Sequence, residues 1–365
     1  MTIRERMMTV YRDKLPDQIP VSIYKRYHHL GTVERMVRDM GLGILDFYPI
    51  VSLLAPPWHT YEGYVPEVKG ADLNIKFTWE NGKIIEIRTY ETPIGVLSQH
   101  LSKDPVYGSD WVNKYYIKSV EDYKIMQYIV ENTVFRKNEK NLVEKIEDLG
   151  EDGVVLGRVD RSPYQKLLIE LAGPERFLTD LLTTPDPVIE LMQVIDAKLD
   201  EQFEMALESK VDLIWQPDNI TSDMTPPNYY KKYCLPFYEK HGKQCKKAGK
   251  PYIVHMDGRI NALKDVIAKS PIDVIESFSF TEMSGDLPIS EAEALWPDKV
   301  IIPNFPASLC EKSNEEIINF LDKVLNEVGE DTPFMIQISE DIPPGSWKQI
   351  LPVLCEFMQT KGKLA

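Results

Sequence analysis

The chain has 365 residues, 43% of them hydrophobic and 27% charged, enough to build a full core. Its formal net charge of −15 and the lack of a basic run argue against nucleic acid as a partner. The four cysteines (Cys234, Cys245, Cys310, Cys355) form no CxxC pair and follow no secretory segment, and no apolar run approaches the roughly 18 residues of a bilayer span, so the sequence predicts a cytoplasmic protein with no disulfide framework and no membrane anchor.

Short apolar, β-branched runs alternate with helical periodicity along the chain, the pattern of parallel strands joined by crossover helices. Pro20–Tyr24 precedes a helix at Thr32–Met40, and Gly43–Val51 supplies a second strand. The stretch of about 53–152 then breaks the rhythm. Leu73–Thr78 and Lys83–Tyr90 alternate around Asn81-Gly82, a strong hairpin signal, and helices follow near Val120–Asn132 and Lys137–Asp148. This reads as an insertion after the second strand, either walling a substrate pocket or acting as a structural cap. Gly153–Val159 resumes the alternation before a helix at Tyr164–Ala172. Val211–Gln216 follows, then a helical stretch from Asn228 to Ala248. Lys243, Lys246, Lys247 and Lys250 near its end read as a solvated helix terminus. Pro251–His255, Asp273–Phe278, Lys299–Asn304 and Phe334–Ser339 complete the strands, separated by helices near Ala262–Lys269, Ser290–Trp296 and Asn314–Val328, with a last helix at Ser346–Thr360. Eight strands with helical connections and no glycine-rich dinucleotide loop predict an α/β fold of the (β/α)₈ TIM barrel class, one domain over 1–365 carrying a β-hairpin and helical insertion.

Barrel strands are buried on both faces, so polar groups at their C-terminal ends are paired, hydrated or used in chemistry. In strand order these ends carry Arg26, Tyr27 and His28; Tyr48 and Ser52, with Trp58 and His59 beyond; Arg158, Asp160 and Arg161; Gln216, Asp218 and Asn219; His255 and Asp257; Glu276; Asn304; Glu340 and Asp341. His255 and Asp257, at i and i+2 of an extended segment, point the same way and can share a divalent metal, zinc being a natural candidate; the alternative is that Asp257 caps the next helix. Glu276 and Glu340 open on the same rim, where their charge would be offset either by a metal or by an ion-pair network with Arg26 or Arg158. Tyr24, Tyr27, Tyr48, Trp58 and Trp215 provide either an aromatic wall for a flat ligand or ordinary core packing.

At these residues the chain resembles the uroporphyrinogen decarboxylase superfamily. The resemblance is carried by Asp218-Asn219, Pro226-Pro227, Leu235-Pro236-Phe237-Tyr238, His255-Met256-Asp257-Gly258, Gly285-Asp286-Leu287, Asn304-Phe305-Pro306 and Glu340-Asp341-Ile342-Pro343-Pro344. Tyr90–Leu97 (YETPIGVL) is similar to a segment of the corrinoid-dependent methyltransferase branch. The resemblance implies a (β/α)₈ barrel, and, in parts of the family, a homodimer. The decarboxylases of the superfamily carry an arginine-rich motif after the first strand, where this chain has Tyr24-Lys25-Arg26-Tyr27-His28-His29 with a single arginine. The methyltransferases hold zinc through a His-x-Cys motif after the fifth strand and a cysteine near the eighth; here His255 matches the histidine while Asp257 and Glu340 stand at the cysteine positions. Oxygen ligands favour polarising an ether oxygen over activating a thiol.

The reading is therefore a zinc-dependent methyltransferase (an O-demethylase component) that moves a methyl group from a small-molecule donor, such as an aryl methyl ether, to the cobalamin of a corrinoid protein. In it His255, Asp257, Glu276 and Glu340 are the metal candidates, and Asp218, Asn219 and Tyr27 the catalytic ones. Arg26, His28, Tyr48, Trp58, His59, Arg158, Trp215 and Asn304 are the candidates for binding substrate. The alternatives are a cofactor-free decarboxylase gripping carboxylates with Arg26 and Arg158, and a non-catalytic barrel that binds a corrinoid or tetrapyrrole.

Overall fold

The computed structural model describes residues 1–364 apart from 28–29, 56–65, 104–109, 330, 341 and 344. Eight parallel strands close into a barrel with helices around them. They are β1 (Val21–Tyr24), β2 (Leu42–Pro49), β3 (Gly153–Arg158), β4 (Ile214–Gln216), β5 (Tyr252–His255), β6 (Val274–Ser279), β7 (Val300–Asn304) and β8 (Ile336–Ile338). Each pairs with its neighbours in sequence, and β1 closes the ring by pairing with both β8 and β2, Val21 standing opposite Ile336 on one side and Leu42 on the other. All eight expected strands are present, most shorter by one residue and β4 and β8 by three.

The core follows from the strand composition. Strands β1, β3, β6 and β7 are buried at every position, as the doubly covered strands of a barrel must be. At Gly153 the close approach of β2 forces glycine: a Cβ there would stand 1.8 Å from the carbonyl oxygen of Ile44. The crossover helix Asn314–Val328 begins where its sequence signal says, because Ser313 and Glu316 form a reciprocal capping box.

The residues group into two compact units. The first, Met1–Tyr48, Lys140–Gly157 and Lys210–Ala365, contains most of the barrel, with strands β1 and β4–β8 complete. The second comprises Pro49–Glu139 and Arg158–Ser209. Its expected hairpin is there, Asp72–Glu80 against Lys83–Thr92, with Asn81 and Gly82 both at positive φ (50° and 76°) as the two-residue turn requires. The sheet is larger than the sequence predicts: Gly95–Ser102 and Trp111–Lys114 add two further antiparallel strands. Helices Pro174–Thr183 and Pro185–Leu207 also belong to this unit. Among the described residues no helix is long and apolar enough to cross a membrane.

Candidate metal centre

The site is built from the inward-facing side chains at the C-terminal ends of the barrel strands of the first unit. Strand β5 ends on His255, and Gly258 turns the chain away at φ 78°, leaving Asp257 on the rim. In the neighbouring β6 the pairing register slips between Glu276 and Phe278. The extra residue, Ser277, takes φ 65°, a left-handed conformation that costs a non-glycine residue on the order of 1 kcal/mol. A bulge of this kind re-aims side chains. Here the Ser277 hydroxyl lies 2.8 Å from that of Ser339 and 3.5 Å from Glu340 Oε1, beyond the end of β8.

Glu276 is fully buried and receives hydrogen bonds from four directions. The Tyr24 hydroxyl donates at 2.6 Å and the Gln337 amide donates to the same oxygen, while the Trp215 indole donates at 3.0 Å and His255 Nδ1 at 2.6 Å to the other. Burial pushes this carboxyl upward, but the His255 charge and hydrogen bond, with those from Tyr24 and Trp215, hold it below its ordinary range. Its oxygens are thus committed to neighbours, and its effect on His255 is to fix the ring's orientation: Nδ1–H is donated to Glu276 and Nε2 is the nitrogen that faces the mouth. Nε2 lies 3.6 Å from Glu340 Oε1. Burial by itself would depress the imidazole's pKa; the charge and hydrogen bond of Glu276, then Glu340 and Asp257, outweigh it and raise it well above the ordinary value. The surroundings are strongly selective for a positive charge.

Three of the four metal candidates come together. The ligand atoms of His255, Asp257 and Glu340 all lie within 4.8 Å of one another. Zinc takes such donors at about 2.0–2.2 Å, which sets them roughly 3.5 Å apart around a tetrahedral ion; His255 Nε2 and Glu340 Oε1, at 3.6 Å, already stand near that spacing, and the Glu340 side chain, 37% exposed, has freedom to adjust. One imidazole and two carboxylates form a donor set that fits a catalytic zinc, with a position left for another ligand. Glu276 is the fourth candidate and stands behind the histidine.

The aromatic residues expected near the site pack together in part, with a different membership. Tyr24, Phe47 and Trp215 pack with ring centroids 5.0–6.4 Å apart, Trp215 lies edge-on to His255 at 6.1 Å, and Tyr27 stacks on Tyr24 at 6.3 Å. The Arg26 guanidinium sits 4.6 Å above the Tyr27 ring and hydrogen-bonds its hydroxyl. Tyr48 points to the other side of β2: Asn141 and Lys145 of helix Glu139–Leu149 lie against its hydroxyl and ring. Phe47, one residue earlier, has the inward parity; alternation along the strand was the signal for it. Gln337 was legible as the lone polar residue inside an apolar run.

The other sequence candidates are distributed as follows. Asp218 is fully buried, accepting from the Tyr238 hydroxyl at 2.5 Å and from Gln216, on the side of β4 that faces helix Leu235–Ala248. Asn219 follows at φ 50°. Asn304 accepts from the Ser339 backbone at 2.9 Å and so ties β7 to the β8 exit. Arg158 belongs to the second unit, where it, Arg161 and Lys166 surround the buried Glu170 and, against the effect of burial, hold its carboxyl at about 2. His28, Trp58, His59 and Asp341 lie outside the described residues.

Comparison with known families adds the decisive observation. The family profile described as Uroporphyrinogen decarboxylase (URO-D) matches residues 163–360, just over half of the chain. The chain belongs to the uroporphyrinogen decarboxylase family. The matched stretch includes β4 to β8, and with them His255, Asp257, Glu276 and Glu340. Among solved structures it is similar to a methyltransferase from Methanosarcina mazei, at a TM-score of 0.55 and 12% identity over 98% of this chain and 99% of that one. That likeness shows a shared fold over nearly the whole of both chains. A search of curated protein sequences finds no match.

Proposed function

We propose that this family member is a zinc-dependent methyltransferase. It takes a methyl group from a small donor of the aryl methyl ether kind and passes it to the cob(I)alamin of a corrinoid protein docked over the barrel mouth. The observation that carries the reading is the convergence of His255 Nε2 with the Asp257 and Glu340 carboxylates. Support comes also from the fold shared with the Methanosarcina mazei methyltransferase. Zinc held there would supply Lewis acidity to the donor's oxygen and make it a better leaving group. Glu276 keeps His255 in the tautomer that leaves Nε2 free to bind, and Ser277 holds Glu340 beside it. The rings of Tyr24, Phe47 and Trp215 form an apolar surface suited to a flat ligand and shed water from it. Tyr27, with Arg26 on its face, would orient the donor or give a proton to the departing oxygen. Asp218, buried against Tyr238, sets the shape of the β4 exit and so the position of Asn219.

Elemental analysis of the purified protein beside His255→Ala and Glu340→Ala tests this. The expected outcome is about one zinc per chain, lost in both variants, with methyl transfer from an aryl methyl ether to cob(I)alamin in the wild type only. A folded wild type that takes up no metal when supplied with zinc sinks the mechanism and brings forward metal-free decarboxylation.

A further inference from the structure

The second unit's four-stranded sheet has an edge that is not built like a protected edge. Its order places Asp72–Glu80 on the outside, hydrogen-bonded on one side to Lys83–Thr92 and, among the described residues, with no strand on the other. Natural edges are short, bulged, interrupted by proline, charged (by lysine above all) or covered, and of these devices the described residues supply only charge, Lys76 among it. This one is nine residues long, pairs in unbroken register and contains no proline. Phe77 and Trp79, two apart and therefore on one face, are 64% and 72% exposed, and Ile84, directly opposite Trp79, is also exposed. Lys76 and Glu80 lie on the other face, both exposed, and neither forms an ion pair with another described residue.

The sequence of this strand is complementary to itself in one antiparallel register. With a two-fold axis through Thr78, Lys76 of one copy faces Glu80 of the other, Phe77 faces Trp79, and each pair occurs twice. Opposite charges then meet on one face and aromatic rings on the other, two of the classes of cross-strand pair that stabilise a sheet. An axis through Lys76 would set Lys76 against Lys76 and Asp72 against Glu80, which repel. An axis through Phe77 leaves the charges unmatched. Such an isologous contact closes on itself, so it yields a dimer and no filament.

We infer that a second copy of this chain docks edge to edge on Asp72–Glu80 in the register centred on Thr78, joining two four-stranded sheets into one of eight. The Lys76–Glu80 pairs select the register, and the Phe77 and Trp79 rings, with Ile84, provide the apolar surface. The inference is independent of the metal site and of the reaction proposed for it.

Sedimentation velocity on the full-length protein across a micromolar concentration range tests it, with circular dichroism to confirm folding of each variant. The wild type is expected to sediment as a dimer. Lys76→Glu places two like-charged pairs across the axis and should weaken association at least about tenfold. Glu80→Lys should do the same, and the double variant Lys76→Glu/Glu80→Lys should restore the dimer. Trp79→Ser should weaken it whatever the charges. A wild type that stays monomeric at every concentration overturns the inference and leaves the aromatic edge to a different protein. A dimer indifferent to the single substitutions, or not restored by the double one, overturns it equally.

Discussion

Glu276→Gln keeps the size of the side chain and removes its charge. In the wild type the two carboxylate oxygens accept from Tyr24, Gln337, Trp215 and His255, all in the dry interior of the barrel. A glutamine offers one accepting oxygen and an NH₂ group, so at least one donor among the four meets another donor. Leaving one buried donor without an acceptor costs about 1–3 kcal/mol, and breaking a buried charged pair about 3–5 kcal/mol. Spread over a chain of 365 residues, a loss of that order lowers the Tm by roughly 5 °C. The same substitution frees the His255 ring to rotate or change tautomer, which weakens zinc binding by about 10–100-fold. Calorimetry measures the first effect, and competition for zinc against a chromophoric chelator the second. A Glu276→Gln variant with wild-type Tm and wild-type zinc affinity would refute the argument that this carboxylate anchors the site.

Three further outcomes follow from the same physics. Ser277→Gly relieves the left-handed backbone while Ser277→Ala keeps it, and both remove the hydroxyl; the glycine variant should be more stable than the alanine one by about 1 kcal/mol in urea unfolding, with both losing zinc affinity through Glu340. Glu170, held at about 2 by burial offset by Lys166, Arg161 and Arg158, contributes stability that is present above its unfolded pKa and disappears as the pH falls towards 2. The wild type should therefore lose roughly 3 kcal/mol of stability from this group between about pH 4.5 and about 2, and Glu170→Gln, already destabilised at neutral pH, should show a flatter acid limb. Glu293 is the opposite case: burial raises its carboxyl to about 7, so the folded state bears a cost that grows above pH 4.5 and is complete above 7. Glu293→Gln should be neutral near about pH 4.5 and stabilising at about pH 8, by under about 1 kcal/mol once solvent screening of this half-buried group is allowed for; equal effects at both pH values would contradict the assignment.

The barrel was legible because its strands are continuous apolar runs that end on polar residues, and because the helix signals between them are strong, as at Ser313–Glu316. Helices Pro174–Thr183 and Pro185–Leu207 are hidden in the sequence because Pro174, Pro185 and Pro187 look like breaks; at the first turn of a helix proline is a start signal. Strands Gly95–Ser102 and Trp111–Lys114 are polar or short enough to read as loop, and their pairing partners supply most of their strand character. At the site, His255 and Asp257 declare themselves by spacing. The part played by Glu276 does not, because its donors come from distant segments, and the face that Tyr48 is expected to take belongs to Phe47, a difference of one residue in parity.

The donors on Glu276 have a consequence for the order in which the molecule is made. Tyr24 is 252 residues upstream of it and Gln337 is 61 downstream, so the carboxylate is fully engaged only when the first strand and the last are both in place. Synthesis delivers β8 after all the other strands, and Glu340 with it. A chain still on the ribosome has His255 and Asp257 but neither Glu340 nor Gln337, the last donor to Glu276. On the function proposed above, metal uptake would wait for the completed ring, and a partly made or C-terminally truncated chain would have no finished pocket in which to trap an ion.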